Sequence, residues 1–224
     1  MIKFLDFDGV VVDSIEECYL ISKSTYFGYA SFAHKENDYK KIFYKYRGLV
    51  RPAYEYLILH KAIEIFIEDR SQDFEKLFKL ININTIEKDK NSFEKEFFYK
   101  RSLYQEENLE AWAGLNPLTP FGETLINSNN ADVYIVTTKN KAATIALLDY
   151  YKIKVSGVYA NDEIKSFGSK GKLISALIQE KNYRQAIFLD DAVEHLDTVK
   201  DDKVKCFFAD WGYGKNTTYE VYEY

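Results

Sequence analysis

One short apolar run, Ile2 to Phe7, opens the chain and breaks off into Asp-Gly. A run of this length suits a buried strand stopped by a turn, yet a lone strand cannot cover its own faces. Its partners have to come from elsewhere. From about Ser14 to Leu115 the sequence offers none: apolar and charged residues alternate at helical spacing, as in Tyr54, Leu57 and Ile58, then Phe66 and Ile67. Phe93 to Tyr104 continues in the same way, and Pro52 suits the first turn of one such helix. Beyond Pro117 and Pro120 short β-rich runs return, at Val133 to Val136, Val155 to Tyr159, Ile187 to Leu189 and Val204 to Phe208, with helical stretches between them. Alternation of this kind predicts an α/β fold, a parallel sheet with helices on both faces and a crevice at the carboxyl ends of its strands. The first strand then joins the later sheet. The chain divides into a core of 1–13 and 116–224 and an inserted all-helical domain over 14–115.

Asp6 and Asp8 lie two apart at the end of the first run, so the two-residue period of a strand puts both carboxylates on one side. Acids at a strand end are commonly just solvated, but a strand that must be buried carries two of them at a cost unless they bind a cation or accept hydrogen bonds. A carboxylate pair suits phosphoryl transfer, with one oxygen attacking in line and the other group managing the proton. Gly9 lets the chain leave the strand sharply. Asp190 and Asp191 end a later apolar run and reach the same crevice. The net charge of -5 gives no general attraction to nucleic acid or to an anionic membrane surface, so an anionic substrate needs a local positive site. A hydrophobic content of 46% over 224 residues supports a packed core without cross-links. Cys18 and Cys206 are unclustered, which suggests a reducing interior and no disulfide. The acids interrupt the first apolar run, which argues against a signal peptide, and no run reaches the roughly 20 residues needed to span a bilayer. A cytoplasmic location is expected, and the many aromatics read as packing.

The stretch Phe4-Leu5-Asp6-Phe7-Asp8-Gly9-Val10-Val11-Val12-Asp13-Ser14 closely resembles the first motif of haloacid dehalogenase superfamily phosphatases. The resemblance implies a Rossmann-like core, with Asp6 as nucleophile and Asp8 as general acid and base. Val133-Tyr134-Ile135-Val136-Thr137 matches the second motif and implies that the Thr137 hydroxyl binds a phosphoryl oxygen, while Thr138 stands where relatives often carry Asn. The third motif is a lysine that neutralises nucleophile and phosphoryl group. Lys170 and Lys172 are both candidates, Lys170 being preferred, and the Lys-Pro pair of close relatives is absent. Ile187-Phe188-Leu189-Asp190-Asp191 matches the fourth, whose acids hold magnesium in the family. Mg²⁺ favours hard oxygen ligands in octahedral geometry. The implied ligands are Asp6, Asp190 and the backbone carbonyl of Asp8, with Asp191 as a supporting or alternative ligand. Glu194 replaces the Asp or Asn that relatives often carry four residues beyond the first acid.

Trp211-Gly212-Tyr213-Gly214 resembles the phosphoglycolate-phosphatase-like members, in which a helical insertion forms a cap that closes over the site. Arg47-Gly48-Leu49-Val50-Arg51 lies between two expected helices, and Arg47, Arg51 and Lys172 are candidate substrate contacts. The resemblance thus implies magnesium-dependent hydrolysis of a small phosphorylated metabolite through an aspartyl-phosphate. A phosphosugar mutase would use the same residues. A catalytically silent binding relative would lack the nucleophile or a metal acid, and neither is missing. An acid at position 8 speaks against a dehalogenase and a phosphonate hydrolase. A phospho-receiver domain has its acids in another order and no helical insertion of about a hundred residues. Gly168-Ser169-Lys170-Gly171-Lys172 lacks the spacing of a nucleotide-binding P-loop. His34, His60 and His195 read as too isolated to form a metal cluster, each a surface or core side chain.

Overall fold

The strands of the computed structural model, which describes residues 1–28, 36–126, 128, 130–216 and 218–224, are β1 (Ile2–Leu5), β2 (Val133–Val136), β3 (Gly157–Tyr159), β4 (Ala186–Asp190) and β5 (Val204–Phe208). Among the described residues they form one parallel sheet in the order β3-β2-β1-β4-β5. β1 is the middle strand: Lys3 sits opposite Val133 on one side and Ile187 on the other. A strand bonded on both edges and covered on both faces has to be apolar throughout. Phe4, Tyr134, Val136 and Phe188 pack on one face with Leu173, Ile174, Leu177 and Ile178, and the alternate residues Leu5, Ile135, Ile187 and Leu189 are buried as well.

β1 stops at Leu5, two residues short of the apolar run. The Phe7 carbonyl accepts the N–H groups of Val10, Val11 and Val12, which curls the chain into a tight loop before it can extend. β3 likewise begins only at Gly157 rather than Val155. Outside the sheet the helices are α1 (Ile15–Phe27), α2 (Glu36–Tyr46), α3 (Glu55–Glu68), α4 (Phe74–Asn84), α5 (Glu87–Glu107), α6 (Leu109–Gly114), α7 (Pro120–Glu123), α8 (Lys141–Tyr150), α9 (Asn161–Phe167), α10 (Lys170–Glu180) and α11 (Val193–Leu196). Pro52 precedes α3 instead of opening it, because its carbonyl closes a turn onto the Glu55 N–H.

The described chain divides into two compact units, Met1–Ser14 with Ala113–Tyr224, and Ile15–Trp112. In the sheet unit the outgoing and returning segments pair with each other: Val12 bridges Leu118 antiparallel, and the Asp13 N–H bonds the Pro117 carbonyl at 2.7 Å. Thr119 completes this join, donating to the Val10 carbonyl and accepting the Gly122 N–H at the start of α7.

The helical unit has its own core, rich in aromatics such as Tyr19, Phe43, Tyr56 and Phe97. Inside it His60 is fully buried, its Nδ1 bonded to the Tyr39 hydroxyl at 2.6 Å and its Nε2 to Ser22 Oγ at 2.8 Å. Glu17 of α1 and Arg101 of α5 form a buried fork, at 2.6 and 2.8 Å, that joins the two ends of the unit. No described helix is long and apolar enough to cross a membrane. His34 lies outside the described residues.

Candidate active site

Asp6 follows β1 directly, and its N–H still bonds the Leu189 carbonyl of β4, so the residue stays in register at the carboxyl edge of the sheet. It is 5% exposed. Its Oδ1 accepts the Phe7 N–H at 2.7 Å and pairs with Lys170 Nζ at 2.9 Å, which leaves Oδ2 as the oxygen turned to neither. Lys170 is the first residue of α10, held there by the Ser169 cap whose hydroxyl accepts the Lys172 N–H. The Lys170 ammonium also reaches Asp190 Oδ2 at 2.8 Å, so one buried cation bridges the acid just after β1 and the acid that ends β4.

Asp190 is saturated by donors. Ala192 N–H and His195 Nδ1 lie on Oδ1 at 2.8 and 3.2 Å, and His195 Nδ1 lies 3.1 Å from Oδ2. Burial would raise the Asp190 carboxyl, but Lys170 and His195 outweigh it and hold the group well below the usual carboxylate range. For Asp6 the balance falls the other way: burial and the charge of Asp190 push it up despite Lys170 and His195. Burial works against the Lys170 ammonium, yet Asp190 and Asp6 together hold it above the ordinary lysine value.

Asp8 lies in the loop past the strand. Gly9 follows at φ +82°, and a Cβ there would stand 2.5 Å from Asp191 Oδ2, so both the backbone and the close approach require glycine. Asp8 Oδ1 pairs at 3.0 Å with Nζ of Lys139, a fully buried side chain that also reaches Asn116 Oδ1 at 3.4 Å. Thr137, 1% exposed, directly follows β2 and accepts the Lys139 N–H on its Oγ1, which keeps its own O–H to donate. Asp191 accepts the Tyr213 N–H at 2.6 Å, and the Tyr213 hydroxyl accepts from Ser14 N and donates to Asp13 Oδ1. The Trp211 to Gly214 stretch therefore ties the fourth motif to the end of the first.

The sheet thus brings Asp6, Lys170 and Asp190 into contact, with Asp8, Thr137 and Asp191 at the same edge. Lys172 is exposed and stands outside this cluster. Arg47 and Arg51 belong to the helical unit and spend hydrogen bonds on their own segment: Arg47 Nη1 donates to the Val50 carbonyl and Arg51 Nη1 to the Gly48 and Val50 carbonyls. Two residues escaped the sequence reading. His195 is not isolated; the first turn of α11 carries it back onto Asp190, whereas Glu194 is exposed. Lys139 is the other; it follows Thr137 at the same spacing of two that relates Asp8 to Asp6, too slight a signal in a residue type that is ordinarily solvated.

Oxygen donors dominate this edge, where the carboxylates of Asp6, Asp8, Asp190 and Asp191 outnumber the ammonium groups of Lys139 and Lys170. Asp6, Asp190 and His195 each offer a ligand atom within 4.8 Å of the others. Such a donor set fits a hard divalent cation.

The fold, a parallel sheet with Asp6 directly after β1 and Asp190 ending β4, is similar to that of solved haloacid dehalogenase-like hydrolases. A protein from Haemophilus somnus 129pt, described as a predicted phosphoglycolate phosphatase, matches 96% of this chain and 88% of its own at a TM-score of 0.62, with 15% identity. A predicted phosphatase from Clostridium acetobutylicum matches 95% and 85% at 0.53, with 15% identity. A haloacid dehalogenase-like family protein from Streptococcus pneumoniae matches 95% and 86% at 0.51, with 16% identity. The likeness is one of fold. No family model matches the chain, and no curated protein sequence does.

Proposed function

We propose that this protein is a magnesium-dependent phosphohydrolase that cleaves a small phosphate monoester through an aspartyl-phosphate on Asp6. The observation that carries the reading is the Lys170 bridge, at 2.9 and 2.8 Å, between two buried acids, Asp6 just after β1 and Asp190 at the end of β4. A buried ammonium shared by two carboxylates is costly to assemble for stability alone. At the mouth of a phosphate site it offsets charge on the nucleophile and on the transferring group.

In the first step Asp6 Oδ2 attacks phosphorus, the bond from phosphorus to the leaving oxygen breaks, and Asp8 delivers its proton to that oxygen. In the second, Asp8 takes a proton from water as the water oxygen attacks the same phosphorus, and the bond to Asp6 breaks to return the carboxylate. Thr137 donates to a phosphoryl oxygen, while Lys170 stays charged throughout. Asp6, the Asp8 carbonyl, Asp190 and Asp191 are the oxygens that would hold Mg²⁺, whose contribution is to neutralise phosphoryl charge. Asp190, already engaged by Lys170, His195 and the Ala192 N–H, would share itself among them. The role of the helical unit as a cap and of Lys172 in substrate contact rests on the likeness of the sequence motifs, and that of Arg47 and Arg51 on their place between two helices and the suitability of arginine for phosphate.

Phosphate release from sugar phosphates, phosphoglycolate, nucleotides and an aryl phosphate, with and without Mg²⁺, tests the proposal. Activity is expected only with a divalent metal and should vanish on chelation. Full turnover after verified metal removal would sink the magnesium assignment, and no turnover on any ester would sink the enzyme.

A further inference from the structure

We propose that Lys139 is a positioning residue for Asp8, fixing the carboxyl group that moves the proton in both halves of the reaction. The inference rests on the phosphohydrolase reading above.

The Lys139 side chain is fully buried, a costly place for an ammonium unless it is paired. Its backbone is fixed on both sides: the N–H bonds Thr137 Oγ1 at 3.1 Å, and the carbonyl accepts the Asn161 N–H at 3.3 Å. With the chain held there, the side chain runs buried to its tip, and its Nζ ends between Asp8 Oδ1 at 3.0 Å and Asn116 Oδ1 at 3.4 Å. Asn116 is itself immobilised. It is fully buried, its N–H bonds the Ala113 carbonyl, and its own carbonyl accepts from the Tyr151 hydroxyl. The neutral amide oxygen locates the ammonium, and the ammonium locates the acid.

The two buried lysines of this edge therefore have separate duties. Lys170 is committed to Asp6 and Asp190, and Lys139 to Asp8 and Asn116. With Oδ1 anchored, the Asp8 carboxyl group is held in place to carry the proton. It gives that proton to the leaving oxygen as the phosphorus–oxygen bond breaks, and recovers one from the water that attacks next. Lys139 contributes no atom to either step and keeps its own protons. Its effect is on distance, because proton transfer needs heavy atoms about 2.6–3.2 Å apart.

The test is a double-mutant cycle between Lys139→Met and Asp8→Asn, read on an alkyl and an aryl phosphate with Mg²⁺ present and folding checked by circular dichroism. Lys139→Met should lower kcat on the alkyl ester about 100-fold, the scale of a misplaced reacting group. The aryl ester, whose leaving group needs little protonation, should lose less, and KM should stay within about threefold on both. In the Asp8→Asn background Lys139→Met should cost nothing further, and Lys139→Arg should recover part of the loss. Additive losses, equal losses on both esters, or a raised KM with kcat intact would overturn the proposal. Those outcomes would place Lys139 on the phosphoryl group or in the scaffold. If Lys139→Met fails to fold, Asn116→Ala, which keeps the charge but loosens it, carries the same cycle. A wild-type protein inactive on both esters would instead overturn the phosphohydrolase reading beneath.

Discussion

Asp6 and Asp8 are two residues apart but live in different surroundings: Asp6 is buried against Lys170 and Asp190, while Asp8 is 16% exposed at its side chain and faces Lys139. The difference separates their variants. Asp6→Asn should abolish turnover on every ester, because an amide cannot form the acyl-phosphate. Asp8→Asn should retain slow turnover on an aryl phosphate and lose about 100-fold more on an alkyl phosphate, whose leaving oxygen must be protonated. Phosphate release by the two folded variants decides it, and equal losses on both esters for Asp8→Asn would remove its proton-transfer role. The acids were legible in the sequence because a strand that must be buried carries two carboxylates only at a cost, and because the residues around them match a known motif. Lys139 and His195 were not, since a lysine or histidine after a strand is ordinarily solvated. Only the folded chain shows that one is sealed against Asn116 and the other turned onto Asp190.

At the scale of elements, the apolar runs announced every strand of the sheet, and the misjudged ends have local causes such as the three N–H groups gathered on the Phe7 carbonyl. What no run of residues announces is how closely elements approach. α10 carries Lys170 and is pressed against the turn after α11 at Gly171, whose N–H bonds Thr198 Oγ1 at 2.9 Å. A Cβ at Gly171 would stand 2.1 Å from the Thr198 carbonyl oxygen. Gly171→Ala would gain about 1 kcal/mol of helix propensity on an open helix. Here the clash with backbone should dominate and destabilise by about 1–3 kcal/mol. Urea unfolding is expected to show a lower midpoint at unchanged slope, together with reduced kcat as α10 and Lys170 shift. An unchanged midpoint would mean the turn yields freely.

For the whole molecule, two compact units imply two contributions to stability, and that of the helical unit is pH-dependent through His60. Burial first, and then the charge of Lys23, push the His60 imidazole down to about 3 from an ordinary 6.5. Its folded form is neutral while the unfolded chain binds a proton below that ordinary value. The stability it supports is complete above pH 6.5 and is lost as pH falls toward 3, at up to about 1.4 kcal/mol per pH unit. Urea midpoints between pH 7 and 4.5 should fall more steeply for the wild type than for His60→Gln, and parallel slopes would exclude the histidine as the cause. The central place of β1 has a further consequence, for the order in which the chain is made. During synthesis β1 finds its neighbours only when Val133 and then Ala186 have been made. Until then the helical unit, Ile15–Trp112, which packs a core of its own, is the part able to fold. Its early collapse would shorten the loop that β1 must close to meet β2. An insertion placed ahead of most of the sheet thus acts, during synthesis, as a splint for the strand that precedes it.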